Sequence, residues 1–200
     1  NVMKTLVLGS TSPFRKTLLE KLNVPFECAK PNIDETPLVN ESSIALVERL
    51  AIEKAKAVAD QFPNALIIGS DQVALHQGDI LGKPHTRENA IKQLTRFSGN
   101  KVTFYTGLCV YDNDLDKSYS LVEPFDVYFR TLTHDEICAY IDAEQPLKCA
   151  GSFKSEGLGI TLFEKLVGDD PNSLIGLPLI KVHALLKQAG LDVLNYQRKD

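Results

Sequence analysis

The first candidate for a functional site is the segment STSPFR, residues 10–15. Pro13 directly after Ser12 is typical of a helix that begins at the proline and has the serine as its N-cap. Arg15 then falls in the first helical turn, where the backbone N–H groups are unpaired and the helix dipole is positive. A cation is unfavourable there unless an anion binds beside it, and the hydroxyl of Ser10 adds another donor. The segment therefore predicts either a phosphate site or a serine cap followed by solvated cations.

Three further polar side chains stand where chemistry often occurs. Asp71 follows the apolar run ALIIG and a serine, and aspartate is depleted in strands. Asp71 therefore indicates either an Asx turn or a functional carboxylate. Lys54, within a predicted helix, and Lys83, in the segment GKP, are either surface lysines or additional cations for phosphate.

Asp34 and Glu35 are the candidate metal ligands. They form either a simple polar turn or a pair of hard oxygen ligands for Mg²⁺. The four histidines and four cysteines of the chain show no spacing typical of a zinc site. We expect the cysteines to be free thiols in a reducing compartment.

The bulk composition limits the classes of partner. The chain has 200 residues, a formal net charge of −4 and a pI of about 5.6, which argues against nucleic-acid binding. No apolar run approaches the ~20 residues of a membrane-spanning helix, so we expect no membrane association and a cytoplasmic location. Asn1 and Val2 precede the single methionine, and we interpret them as a cloning remnant.

The periodicity predicts alternating helices and strands with a meander in the middle. The predicted strands are residues 5–9, PFECAK, ALIIG resumed by SDQVAL after a polar break, 101–112, 119–130, and one after the glycine-rich loop CAGSFKSEGLGITLFEKL. The predicted helices are residues 12–22, 42–62, one capped by Thr86 that ends at Phe97, one from Thr133 to before Pro146, and one ended by Gly190. This order favours an α/β fold (mixed α+β) with a mixed sheet over a regular doubly wound fold.

Eight segments in order then carry a resemblance to a known family. They are STSPFR, DE at 34–35, RLAIEKA, IIGSDQV, GKP, TFYTGL, CAGSFKSEG and NSLIGLPL. From Leu6 to about Leu186 the chain resembles the Maf family of nucleotide pyrophosphatases. The resemblance implies one domain over residues 3–196, elongated and two-lobed, with a mixed, bent sheet, flanking helices and a cleft between the lobes, similar to the inosine triphosphate pyrophosphatases. Relatives in the family often form homodimers.

The resemblance also implies a reaction and residue roles. A nucleoside triphosphate is cut between its α and β phosphates with a divalent cation, Mg²⁺ or Mn²⁺. Asp71 would be the proton acceptor and Glu35 a metal ligand. The residues expected to bind the phosphates are Ser10, Ser12, Arg15, Lys54 and Lys83. Three options stay open for Asp71: it would act as a base whose pKa burial raises, accept a proton from metal-activated water, or bind the metal itself.

The match is closer to one branch of the family, the YceF-like branch that hydrolyses 7-methyl-GTP, because of Phe14, Gln72 and Glu156. Methylation at N7 makes guanine cationic, so an aromatic ring gains cation–π energy of about 1–2 kcal/mol over it. A carboxylate such as Glu156 can accept from the guanine N1–H and N2–H₂ groups. Phe14 could instead pack in the core with Leu18 and Leu22. The alternatives are a dTTP/UTP or broad-specificity pyrophosphatase and a non-catalytic interaction protein acting in septum formation.

Overall fold

The computed structural model describes residues 4–198, so the interpretation of Asn1 and Val2 lies outside the described residues. The strands are β1 (Thr5–Leu8), β2 (Glu27–Cys28), β3 (Ala65–His76), β4 (Asp79–Ile80), β5 (Lys101–Asp112), β6 (Lys117–Phe129) and β7 (Phe163–Val167). The α-helices are α1 (Pro13–Glu20), α2 (Ser43–Ala57), α3 (Arg87–Phe97), α4 (His134–Glu144), α5 (Asn172–Ile175), α6 (Leu179–Gln188) and α7 (Val193–Tyr196).

The strands form one mixed sheet. Its order is β2-β1-β3-β5-β6-β7, and β4 pairs with β3 off this path. Strand β1 runs parallel to β2 and β3, whereas β4 is antiparallel to β3 and β7 is antiparallel to β6. A mixed α/β fold with flanking helices is therefore confirmed.

The chain divides into two compact units. Unit 1 contains the chain up to Gln72, Tyr105–Glu123 and the chain from Gly176 onward, and unit 2 contains Val73–Phe104 and Pro124–Ile175. Three of the four boundaries fall within β3, β5 and β6, and the fourth lies at the end of α5. The predicted cleft between two lobes stays a prediction.

Capping residues and hydrophobic periodicity predicted most of the helices and strands. The hydroxyls of Ser12 and Thr86 accept hydrogen bonds from Arg15 N and Asn89 N, which confirms both predicted N-caps. Strand β5 has its predicted bounds, and α2 ends before a 3₁₀ turn at Ala59–Gln61. The short helices α5 and α7 were not predicted.

The predicted break after ALIIG is wrong. Strand β3 continues without interruption through Ser70 and Asp71 to His76, so the Asx-turn interpretation of Asp71 is also wrong. A carboxylate is tolerated in this strand because it is paired with a cation, as described below.

Helix α2 lies unusually close to the sheet of unit 1. A Cβ atom on Gly69 of β3 would overlap the carbonyl oxygen of Ala51 and would lie 3.0 Å from the Cβ of Ala55. A Cβ atom on Gly107 of β5 would overlap the carbonyl oxygen of Val47. Glycine is required at both positions because the helix backbone occupies the space of a side chain.

The core of unit 2 is aromatic. Phe129 makes edge contacts with Phe153 and Phe163 at centroid distances of 5.2 and 5.4 Å, and a tilted contact with Phe97 at 5.6 Å. Such pairs stabilise beyond the area that they bury. Phe153 belongs to the segment SFKSEG, so this core anchors the loop that carries Glu156.

We expect Gly69→Ala to lower the free energy of unfolding by about 1–3 kcal/mol, because the added methyl group forces α2 away from β3. Urea denaturation followed by circular dichroism measures this. The matched control is Gly82→Ala, where an added Cβ meets no atom within 4 Å. Equal stability of the two variants would contradict the close packing of α2.

Candidate active site

The centre of the candidate site is the ammonium group of Lys54. Its Nζ donates to Asp71 Oδ1 at 2.8 Å and lies 3.0 Å from Glu35 Oε1. The side chains of Lys54 and Asp71 are each 14% exposed, whereas that of Glu35 is 60% exposed. The interpretation of Lys54 as an ordinary surface lysine is therefore wrong.

The packing of α2 on β3 explains why these groups meet. Side chains alternate between the faces of a strand, so Asp71 lies on the same face of β3 as Gly69. That face carries α2, whose residues Ala51 and Ala55 pack at Gly69. Lys54, one position before Ala55, is thereby placed beside Asp71.

Arg15 lies in the first turn of α1, as predicted, and its side chain is held by a hydrogen bond. Its Nε donates to the carbonyl oxygen of Gly176 at 2.9 Å, and its side chain is half-buried. Burial lowers the pKa of Arg15, and the nearby carboxylates of Asp71 and Glu35 act in the opposite direction. Within residues 4–198, the guanidinium forms no ion pair with a carboxylate. Part of its charge and most of its N–H donors are therefore available to an anion.

The two serines before α1 keep a donor for the same anion. Ser10 Oγ accepts from Ser12 N at 3.1 Å, and Ser12 Oγ accepts from Arg15 N at 3.3 Å. A hydroxyl that accepts a hydrogen bond still has its own hydrogen to donate. The observed cap and the predicted phosphate site are thus compatible.

Phe14 and Gln72 occupy different environments in unit 1. Phe14 is 53% exposed, so the interpretation of Phe14 as a core residue is wrong. Gln72 Nε2 donates to Thr106 Oγ1 at 2.8 Å, and Thr106 is fully buried in β5. This bond orients the amide of Gln72, and Thr106 is a contributor that the sequence did not reveal.

Lys83 and Glu156 belong to unit 2 and are both exposed. Lys83 lies in the segment between β4 and α3. Glu156 lies in the loop after the 3₁₀ turn Ala150–Ser152, where Ser155 Oγ donates to its Oε2 at 3.4 Å.

Three side chains that the sequence did not indicate hold the loop of Glu156. Lys154 N donates to the hydroxyl oxygen of Tyr140 at 2.9 Å, and Leu158 N donates to Glu144 Oε1 at 3.2 Å. The hydroxyl of Ser152 donates to the side-chain oxygen of Gln93. No local signal marks these partners, because they lie on α3 and α4.

The carboxylates of Glu35 and Asp71 fit the expected divalent cation. Mg²⁺ is held in nucleotide sites by one or two carboxylates together with water and substrate phosphates. Across residues 4–198 no cluster of three or more His, Cys, Asp or Glu side chains is suited to a metal, so a complete protein cage is not formed. Asp34 forms a polar turn, because its Oδ1 accepts from Thr36 N at 2.9 Å.

The chain was compared with protein families and with known proteins. Residues 5–189 match the family described as Maf-like protein. A relative from Colwellia psychrerythraea is 69% identical over 98% of both chains, and one from Pseudoalteromonas translucida is 60% identical over 96% of this chain and 95% of its own. A third, from Vibrio vulnificus, is 57% identical over 94% of this chain and 97% of its own. All three relatives are named 7-methyl-GTP pyrophosphatase.

The chain therefore belongs to the Maf family.

Among solved structures, that of a Vibrio cholerae protein matches over 91% of both chains with a TM-score of 0.40 and 10% identity, a likeness too low to support any conclusion. No helix within residues 4–198 is both long and apolar enough to cross a membrane.

We expect Arg15→Ala to lower kcat/KM for nucleotide hydrolysis on the order of 100-fold, because it removes a fixed donor set for phosphate charge. Pyrophosphate release measures the activity, and the melting temperature checks the fold. Lys16→Ala, which removes the neighbouring exposed cation, is the matched control and should retain activity. If both variants are equally active, Arg15 does not bind phosphate.

Proposed function

We propose that this chain hydrolyses 7-methyl-GTP to 7-methyl-GMP and pyrophosphate. The observation that carries the proposal is the cation pair of unit 1: Lys54 shared by two carboxylates, and Arg15 beside them without an ion-pair partner among the described residues. The choice of base is supported by the names of the three relatives.

The triphosphate chain is the anion that the start of α1 lacks. Arg15 and the hydroxyls of Ser10 and Ser12 donate to phosphate oxygens, and the free N–H groups of the first turn add donors. Lys54 and Lys83 neutralise further charge. Phosphoryl transfer needs mainly positioning and charge stabilisation, and such groups supply both.

The bond that breaks joins the α phosphorus to the oxygen that bridges to the β phosphorus. A water oxygen forms the new bond to the α phosphorus, and the bridging oxygen leaves with the electron pair as part of pyrophosphate. Asp71 accepts the proton that the water loses and then releases it to solvent. Lys54 holds Asp71 in place through its 2.8 Å hydrogen bond. Mg²⁺ or Mn²⁺ held by Glu35 would supply charge neutralisation at the phosphates.

The base is assigned to three side chains on the ground of their chemistry. Phe14 offers an exposed ring to the cationic 7-methylguanine. Glu156 supplies a carboxylate for the N1–H and N2–H₂ edge, and its charge favours a cationic base over a neutral one. Gln72 contributes to the preference with an amide that Thr106 orients.

The proposed location is the cytoplasm. All four cysteines are free thiols, in agreement with the reducing compartment expected above. A homodimer stays an expectation, to be measured by light scattering.

The wild-type protein is expected to release pyrophosphate from 7-methyl-GTP faster than from GTP, dTTP, UTP, CTP or ITP in the presence of Mg²⁺. EDTA should abolish the activity, and added Mn²⁺ should restore it. Initial rates with separate assays for pyrophosphate and orthophosphate measure this. A preference for a pyrimidine nucleotide would retain the reaction and refute the choice of base. No turnover on any nucleotide would favour the non-catalytic interaction protein.

Glu156→Gln is expected to lower kcat/KM for 7-methyl-GTP on the order of 10-fold and to lower that for GTP less, because only the methylated base is cationic. The two substrates are compared in parallel assays. Glu164→Gln, a change at another exposed glutamate of unit 2, is the matched control. Equal losses on both substrates would show that Glu156 does not determine the preference.

A further inference from the structure

The segment that carries Glu35, residues 34–41, contains neither helix nor strand. It leads into the N-terminus of α2, and within it Leu38 and Val39 are 58% and 93% exposed. Glu35 nevertheless lies at Lys54 despite its own exposure of 60%. Because residues 34–41 have no helical or strand hydrogen bonds, contacts with side chains must hold this segment in place.

The guanidinium of Arg49 makes the contacts that do so. Its Nε and Nη2 donate to the two carboxylate oxygens of Glu41 at 2.6 and 2.9 Å, a bidentate pair. Its Nη2 also donates to the carbonyl oxygen of Thr36 at 3.2 Å. A fourth hydrogen bond, from Nη1 to Glu53 at 3.0 Å, stays within α2.

Glu41 extends the same attachment to the middle of the segment. Its Oε1 accepts from Leu38 N at 3.1 Å, and its side chain is only 8% exposed. Hydrogen bonding to Arg49 lowers the pKa of Glu41 to about 2, so the carboxylate is ionised throughout the neutral range. Arg49 thus holds the segment at Thr36 directly and at Leu38 through Glu41.

Thr36 is adjacent to Glu35 in the chain. A contact that fixes the Thr36 carbonyl also fixes the backbone from which the Glu35 side chain projects. Arg49 itself lies on α2, five residues before Lys54, so one helix holds both the segment and the ammonium that Glu35 meets. An arginine is suited to this because its planar fork binds a carboxylate and a carbonyl together.

We infer that Arg49, acting with Glu41, is a positioning residue that keeps Glu35 in place for the divalent cation. This inference rests on the proposed function, because Glu35 is a metal ligand only within it. Arg49 touches neither substrate nor metal in this role. Its loss should therefore raise the metal concentration that the reaction requires, with a smaller effect on the rate at saturating metal.

The test uses Arg49→Lys, which keeps the charge and loses the fork, and Glu41→Gln, which keeps the shape and loses the charge. The matched control is Glu53→Gln: Glu53 is a partner of the same guanidinium and, within the part of the chain that the structure describes, forms no hydrogen bond with residues 34–41. In both test variants we expect the Mn²⁺ concentration for half-maximal hydrolysis to rise on the order of 10-fold, as is typical when the support of a metal ligand is removed. The control should match the wild type.

A second readout is independent of activity. Hydrogen–deuterium exchange followed by mass spectrometry should show faster exchange of residues 34–41 in Arg49→Lys and Glu41→Gln, with α2 and the melting temperature little changed in Glu41→Gln. Unchanged exchange of the segment, or a metal requirement equal to that of Glu53→Gln, overturns the inference. A wild type that hydrolyses no nucleotide would instead refute the proposed function, and the exchange data would still show whether Arg49 holds the segment.

Discussion

The ammonium of Lys54 is tolerable at 14% exposure only because two carboxylates meet it. Removing a charge from water costs free energy unless a partner of opposite sign replaces the hydration. The pairing in turn requires α2 to approach β3 to backbone contact, and only glycine at position 69 permits that approach. The packing of α2 and the ion pairs of Lys54 therefore depend on each other. A side chain at position 69 would displace α2 and separate Lys54 from its carboxylates.

Arg15 is placed by a different principle. Lys54 is compensated within the protein, whereas Arg15 is anchored through a neutral carbonyl, that of Gly176, which fixes its position without cancelling its charge. The first turn of α1 adds a positive field at the same place. A cation that is held in place and only partly compensated is already organised for an anion, so the proposed phosphate would bind with little reorganisation.

The sequence predicted those features whose causes are local. A serine before a proline determined the start of α1, and Thr86 determined that of α3, because caps act over three residues. The segment STSPFR, Asp71, the two lysines and the acidic pair at 34–35 were singled out from residue type and position, whereas the choice among their alternative roles came from the resemblance to the Maf family. The contact of Arg15 with Gly176 joins positions 161 residues apart, and that of Gln72 with Thr106 joins two strands, so no local signal reports them. Of the two alternatives for Asp71, the Asx turn was wrong, because its place in a strand depends on a lysine from another element.

The proposed site residues of unit 1 and those of unit 2 are supported in different ways. In unit 1, Lys54 of α2 is paired with both Asp71 and Glu35, so a change in any of the three disturbs the others. In unit 2 the loop of Glu156 is held by Phe153 in the aromatic core and by its backbone amides on Tyr140 and Glu144. These supports do not involve the carboxylate of Glu156. The side chain at position 156 can therefore change on a constant scaffold, and such a change should leave the ion pairs of Lys54 intact.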